Sequence, residues 1–353
     1  MASMFRKIVI LLLSVLAVCA FCGCNDSADG GEIDGDFVFY ELENGEYGVG
    51  IAESAKNNAQ KLSLPDTYRE KPVTTIVEKG FSDCTALKKI TVPNGITKIS
   101  SFAFSNCKVL EKIDLPDTVT EIDAYAFSGC QSLADVTIPN GVMQVGVHAF
   151  SFCKRLEGIT LSNKLQKIDD YVFYNCTALE SISIPDSVKS IGDRAFENCL
   201  SLATVEIGSG VTEINSFAFY ACPSLTAFSV DADNTAYVSY TGILYDKPIT
   251  QILMIPASLS GEISIPEGIS EIGASTFAEF DQIVEVKLPR SLKMIGACAF
   301  LHCDALKRVS LAAPSGWKID SLELNASVLS NEETLAKLLT GDYEYKRLTK
   351  EEK

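Results

Sequence analysis

Residues 107–130 read CKVLEKIDLPDTVTEIDAYAFSGC, and the cysteine that closes this stretch stands 23 positions after the one that opens it. The same interval separates Cys84, Cys107, Cys130, Cys153, Cys176, Cys199 and Cys222. A phenylalanine lies three residues before each of them (Phe81, Phe104, Phe127, Phe150, Phe173, Phe196, Phe219), and a leucine three residues after, from Leu87 to Leu225. The register resumes at Phe277 and Phe300. Within one unit the order is L-x-x-I-x-[LVI]-P, then V-x-x-I, then A-F-x-x-C, as in Leu110, Ile113, Leu115, Pro116, Val119, Ile122, Ala126, Phe127 and Cys130. A fixed period between about 20 and 50 residues is the signature of a solenoid.

The chemistry of one unit explains why it needs neighbours. In L-x-x-I-x-L the last two apolar positions alternate with polar ones, as in a short half-buried strand, and proline ends the ladder because it has no N–H to give. Turn residues follow at the same place each time: Asn94-Gly95, Asp117-Thr118, Asn140-Gly141 and Asp186-Ser187. V-x-x-I then makes a second inward contact, and A-F-x-x-C closes the coil through a tight turn, expected to be helical or 3₁₀. A lone coil has no interior for Phe or Leu. Stacked coils do, and each buried Phe or Leu contributes about 1.5–3 kcal/mol toward the ordering entropy of the unit.

The pattern resembles the leucine-rich repeats of the BspA-like bacterial surface proteins over residues 62–313. The resemblance implies an α/β repeat fold, a leucine-rich repeat solenoid with short parallel strands. Phe37 to Ile51, with Asn44-Gly45 at its turn, reads as a β-hairpin, so residues 37–61 form an N-terminal cap. The irregular segment 231–262, with Asp233-Asn234, Tyr237 and the run Gly242 to Asp246, looks like the family's recurrent long insertion. Residues 314–353 read as a C-terminal cap and tail. Ser330 with Glu333 suggests a capping box, Glu332 to Leu339 a short helix ended by Gly341, and Tyr343 to Leu348 a strand, with Trp317 in the cover.

Residues 1–23 read as an export signal: Arg6 and Lys7 precede an apolar run from Ile8 to Phe21 that is too short to span a bilayer comfortably. Phe21-Cys22-Gly23-Cys24 resembles a bacterial lipoprotein box, which implies that Cys24 carries the lipid; plain cleavage near Ala20 or Gly23 is the alternative. Residues 24–36, rich in Asp and Gly, read as a flexible tether.

Lys and Arg number 30 against 46 Asp and Glu, a formal charge of −16, which argues against a nucleic-acid partner. A period of 23 lays the sulfurs in a line, whereas a zinc site gathers paired ligands, so the seven cysteines are read as a reduced, buried ladder. Cys298 and Cys303 either pair or sit on opposite sides of the last turn. Asp231, Asp233 and Asn234 start like a calcium loop, but Ala236 and Gly242 stand where that loop needs Gly and Glu. His148 and His302, the only histidines, lack a catalytic partner pattern, and no cofactor motif is present.

One column remains, two residues before the repeat phenylalanine: Phe102, Tyr125, His148, Tyr171, Arg194 and Phe217, extended by Tyr174 and Tyr220. It is either edge packing or a semi-exposed stripe for flat contact with a protein or a glycan. The concave strand face, from Thr91 and Asp114 to Ser229, is small and hydroxylic and lacks aromatic anchors. The reading is a non-enzymatic, exported, lipid-anchored monomer whose task is contact. The resemblance adds adhesion to host matrix or to other microbes, and a glycan-binding or scaffolding envelope lipoprotein is the alternative.

Overall fold

Each 23-residue unit makes one coil, and each coil contributes two short strands. The computed structural model describes residues 30–351. The L-x-x-I-x-L strands stack in parallel and in register along the concave face: Lys89 pairs with Lys112, Asp135 with Gly158, Ser181 with Thr204, and Thr204 with Ala227. Their burial alternates exposed, buried, exposed, so Ile90, Ile113 and Val136 point inward while Thr91, Asp114 and Thr137 face solvent.

The second strand was not expected. The V-x-x-I segment, read as an inward contact, ends in a two-residue strand: Lys98–Ile99, Glu121–Ile122, Gln144–Val145, Lys167–Ile168, Ser190–Ile191 and Glu213–Ile214 form a second parallel ladder. Two residues carry too little alternation to announce a strand. Hydrogen bonds from neighbouring coils make them one, for example Thr120 N to Thr97 O at 2.9 Å and Asp123 N to Ile99 O at 2.9 Å.

The A-F-x-x-C segment is neither α-helical nor 3₁₀; it is a run of turns. Two residues per coil take left-handed φ values, as at Phe102 (59°) and Asn106 (61°) or Tyr125 (58°) and Gly129 (76°). This conformation aims alternate N–H groups along the solenoid axis, where a helix would turn them back on itself. Phe104 N reaches Ala126 O at 2.7 Å and Asn106 N reaches Ser128 O at 2.7 Å, and the pattern repeats coil after coil.

Inside the turns, the phenylalanines stack face on face. Centroid separations from Phe81 to Phe219 are 5.4, 5.3, 5.1, 5.9, 5.2 and 5.0 Å. The cysteines run beside them, free and buried. From Cys107 to Cys222 each thiol donates to the carbonyl of the phenylalanine in the preceding coil, as in Cys130 to Phe104 O and Cys153 to Phe127 O, both 3.2 Å. Burial pushes the Cys153 and Cys222 thiols up to about 12, so they stay protonated at neutral pH. We expect the thiols from Cys107 to Cys222 to resist a thiolate-selective reagent at pH 8 in the native chain and to react at once on unfolding. Fast native labelling would contradict this.

The ends are closed as caps require, with changes in detail. Phe37–Glu41 and Tyr47–Ile51 form the hairpin, and Tyr47–Ile51 joins the second ladder through Lys71–Ile76. Glu32–Asp34, assigned above to the tether, is a third strand, antiparallel to Phe37–Glu41. At the other end the helix is Glu332–Leu339, but its N-cap is Asn331, whose Oδ1 accepts from Thr334 N at 2.9 Å. Ser330 is already used as the C-cap of a short preceding helix, Ala326–Leu329. The last strand is Leu348–Lys350, not Tyr343 to Leu348, and it lies antiparallel between Met294–Ile295 and Trp317–Ile319. Trp317 is fully buried in this cover, its indole N–H donating to Ala313 O at 3.0 Å.

Segment 231–262 interrupts the core, which divides into a cluster ending at Leu244 and a second beginning at Tyr245. Tyr237–Tyr240, Ile243–Asp246 and Gln251–Met254 form an antiparallel meander whose last strand rejoins the second ladder at Glu271–Ile272. Asn234, 1% exposed, anchors it. Its Nδ2 donates to Gly208 O (2.9 Å) and Val211 O (3.0 Å), and its Oδ1 accepts from Ala236 N (2.9 Å) and Tyr237 N (2.8 Å).

Candidate functional site

The column predicted as a stripe is a stack. Phe102 and Tyr125 are nearly parallel at 4.7 Å, Tyr125 and His148 follow at 4.7 Å, and His148 and Tyr171 at 4.6 Å. Two cations lie in the same file: Lys79 Nζ is 5.8 Å from the Phe102 ring, and the Arg194 guanidinium, next after Tyr171, is 5.2 Å from the Phe217 ring. Arg194 is held by Glu197, one of the few buried carboxylates, at 2.6 Å. All six residues of the column are half-buried.

Tyr174 joins the stack edge-on, 5.6 Å from Tyr171 and 6.5 Å from His148. Tyr220 packs edge-on against Phe217, but its hydroxyl donates to Glu279 and so belongs to a different place in the fold. The sequence reading missed Phe152, which meets the Tyr174 edge at 5.2 Å and is 40% exposed. A signal for it existed. Phe152 stands in the left-handed column just before the cysteine, otherwise held mainly by Asp83, Asn106, Gly129, Asn175 and Asn198, residue types that tolerate φ near +60°.

Backbone strain gives the stack its weight. A side chain with a Cβ in the left-handed region costs about 1–2 kcal/mol, and Phe102, Tyr125, His148 and Tyr171 all sit there. Their N–H groups gain bonds to the next coil, such as Tyr125 N to Val147 O at 3.0 Å. The rings gain about 0.5–1.5 kcal/mol per stacked pair. Yet the coil itself does not need an aromatic here: Lys79, Arg194, Ser275 and Cys298 take the same left-handed conformation.

His148 is buried between two tyrosines, which depresses its pKa from 6.5 to about 4, while Asp170 pulls weakly the other way. As pH falls, the unfolded chain therefore takes up its proton first. The stabilising effect of the neutral ring is complete above about pH 6.5 and is lost progressively between 6.5 and 4, amounting to about 2 kcal/mol after discounting for the ring's open edge. Urea midpoints from pH 4 to 8 check this, with His148→Phe expected to reduce the fall in stability between pH 6.5 and 4 by that amount.

The remaining surfaces are plainer. The concave face carries ion pairs at its C-terminal end, where Glu285 bridges Arg308 and Lys287, a further pair between Lys112 and Asp114, and mixed hydroxylic and charged residues elsewhere. Asp231 and Asp233 are exposed, and Asn234 spends its side chain on backbone groups; among the described residues no cluster of three or more His, Cys, Asp or Glu could hold a metal. No helix among them is long and apolar enough to cross a membrane. Cys24 lies outside the described residues.

Several known proteins share this architecture. A leucine rich cell surface protein from Faecalibacterium prausnitzii A2-165 superposes with a TM-score of 0.56 at 26% identity, over 80% of this chain and 76% of its own. The pneumococcal vaccine antigen PcpA gives 0.56 at 22%, covering 80% and 70%, and a leucine-rich repeat protein from Eubacterium ventriosum gives 0.53 at 21%, covering 81% and 73%. No curated protein matches the chain. The family model described as "BspA type Leucine rich repeat region (6 copies)" matches residues 54–180, 166–251 and 257–331. With the 23-residue coils and both ladders in place, the chain belongs to the BspA-type leucine-rich repeat family.

Proposed function

We propose that this chain is a non-enzymatic, exported surface protein that makes protein contacts through the flank stack running from Phe102 to Phe217. The observation that carries the reading is the aromatic column itself. At Phe102, Tyr125, His148 and Tyr171 it occupies a left-handed backbone position that other coils fill with Lys79, Arg194, Ser275 or Cys298, and it leaves rings half-buried on the surface. Folding does not demand rings there, and aromatic and Arg side chains are the ones enriched where proteins meet. Family membership and the likeness to a cell surface protein support placement at the surface. On this reading Cys24 carries a lipid that holds the chain to the membrane, and the partner is a protein of host matrix or of another microbe.

A protein partner is favoured over a glycan. Sugar rings bind aromatic residues by lying on an open ring face, and here the faces of Tyr125 and His148 are taken up by neighbouring rings, so the stripe offers edges.

The test is to screen the chain against matrix proteins and a glycan array beside a variant with Ala at Phe102, Tyr125, Tyr171 and Phe217. We expect a matrix or microbial protein to bind the parent, with affinity for the variant reduced at least tenfold, since each anchoring ring contributes of order 1–2 kcal/mol. Equal binding would reduce the stripe to packing, and glycan hits lost in the variant would favour the envelope lipoprotein. Mass spectrometry of the mature N-terminus tests the anchor: a diacylglyceryl cysteine at position 24 supports it and an unmodified one ends it.

A further inference from the structure

One coil of the solenoid lacks its outer turn. In a regular coil twelve residues, 192–203, lead from the second-ladder strand Ser190–Ile191 to the next concave strand, Thr204–Ile207. After Ile252, which pairs with Ile272 in the same ladder, only nine, 253–261, lead to Glu262, which pairs with Glu285 in the concave ladder. The segment is three residues short and carries no A-F-x-x-C turn. In place of that turn lies a cleft of about 330 Å3 between the turn at Ser216–Cys222 and the turn at Ser275–Asp281, floored by Met254, Ile255 and Ala257.

The cleft walls are an interrupted hydrogen-bond ladder. Two coils before it, the N–H groups of three alternate residues donate to the next turn, Tyr171 to Asp193 O, Phe173 to Ala195 O and Asn175 to Glu197 O, and in the coil just before it Phe196 and Asn198 donate to Ala218 O and Tyr220 O. The equivalent donors here are Phe217, Phe219 and Ala221. Among the described residues Phe219 and Ala221 find no acceptor, and Phe217 reaches only its neighbour Asn215 Oδ1 at 3.4 Å. On the opposite wall Ala274, Thr276 and Ala278 hold the positions of Ala297, Ala299 and Leu301, whose carbonyls accept from Ser275, Phe277 and Glu279. No N–H among the described residues fills those three carbonyls. Two further observations mark the gap. Phe219 is 7% exposed, where Phe81, Phe104, Phe127, Phe150 and Phe196 are at 0%. The Ser275 hydroxyl oxygen is buried in the wall and, among the described residues, has no hydrogen-bond partner.

We propose that this cleft receives a short segment of a partner protein that takes up the coil's run of turns and supplies the absent one, its carbonyls taking the N–H groups of Phe217, Phe219 and Ala221 and its own N–H groups serving Ala274, Thr276 and Ala278. The segment is six or seven residues long with an apolar side chain at its centre, which enters the space between Phe219 and Phe277. Glu279 and Asp281 on the exposed rim favour a basic flank. The hydrogen bond from Tyr220 to Glu279 joins the two walls and is displaced on entry. Main-chain bonds provide affinity and the central side chain provides specificity, as in strand addition to a sheet edge. The inference rests on the chain being a contact protein, but the site is separate from the flank stack.

The probe is a synthetic peptide of residues 100–106, Ser-Ser-Phe-Ala-Phe-Ser-Asn, with a lysine added at each end; in the native fold it makes both sets of bonds. Amide hydrogen exchange on the full chain reads the site. The result expected is saturable binding that slows exchange at Phe217, Phe219 and Ala221 at least tenfold. Ser275→Tyr, which puts into the wall a residue type its own column already carries, is expected to abolish the protection, as is N-methylation of the peptide at the three bonding N–H groups. Absence of binding up to millimolar peptide, binding without protection of those amides, or protection that survives Ser275→Tyr overturns the proposal. Matrix binding by the flank stack is scored in a separate assay, so either reading can fail alone.

Discussion

Phe150→Ala lowers the stability of the solenoid by about 3–5 kcal/mol, read as a fall in the urea midpoint at pH 7. The ring is fully buried and stacked on both faces, against Phe127 at 5.1 Å and Phe173 at 5.9 Å, so its loss leaves a void open to two coils at once. Because each coil touches only its neighbours, the same change also weakens the coupling between the halves of the array, and the transition broadens. Phe219→Ala is the matched control. That ring has one stacked partner, Phe196 at 5.0 Å, and already borders the cleft, so its removal costs less, about 2–3 kcal/mol. Equal losses at the two positions would contradict the stacking account.

Asn234→Ala costs about 3–4 kcal/mol although the position carries no apolar burial to speak of. The substitution strips donors from Gly208 O and Val211 O and the acceptor from the N–H groups of Ala236 and Tyr237, leaving buried backbone groups unpaired. Asn234→Asp is more informative. It keeps the acceptor but sets an anionic oxygen against two carbonyls, so burial and that repulsion raise the folded-state pKa of the new carboxyl. The variant is then destabilised most at pH 7 and recovers part of the loss toward pH 4, where the protonated acid can donate. Midpoints for both variants at pH 4.5 and 7 check this, and an Asp variant as stable as the parent at pH 7 would remove Asn234 from the role of anchor.

The repeat was legible because its signal is global: Phe, Cys and Leu recur at one interval through seven consecutive units, and no single window had to be judged alone. The local expectations that fell short share a cause. Lys98–Ile99 and its successors are strands only because the adjacent coils supply hydrogen bonds, which no two-residue pattern encodes. Ser330 and Asn331 are both good caps, and the choice is made by the short helix Ala326–Leu329, which ends on Ser330. Glu32–Asp34 is polar and exposed throughout, and pairing with the hairpin rather than burial makes it a strand. At the candidate surface the column from Phe102 to Phe217 could be read from the sequence, but not that its rings face one another and present their edges. That follows from the coil rise of about 5 Å, close to the separation of stacked rings.

One unit of 23 residues equals one coil, and the regular coils are interchangeable in register. Deleting residues 131–153 joins Cys130 to Lys154 and should leave a folded, cooperatively melting protein one coil shorter. Deleting 131–142, half a unit, should misplace every inward residue beyond the cut and abolish cooperative melting. Thermal unfolding followed by circular dichroism compares the two directly, and loss of folding in the 23-residue deletion to the same degree as in the 12-residue one would contradict the account.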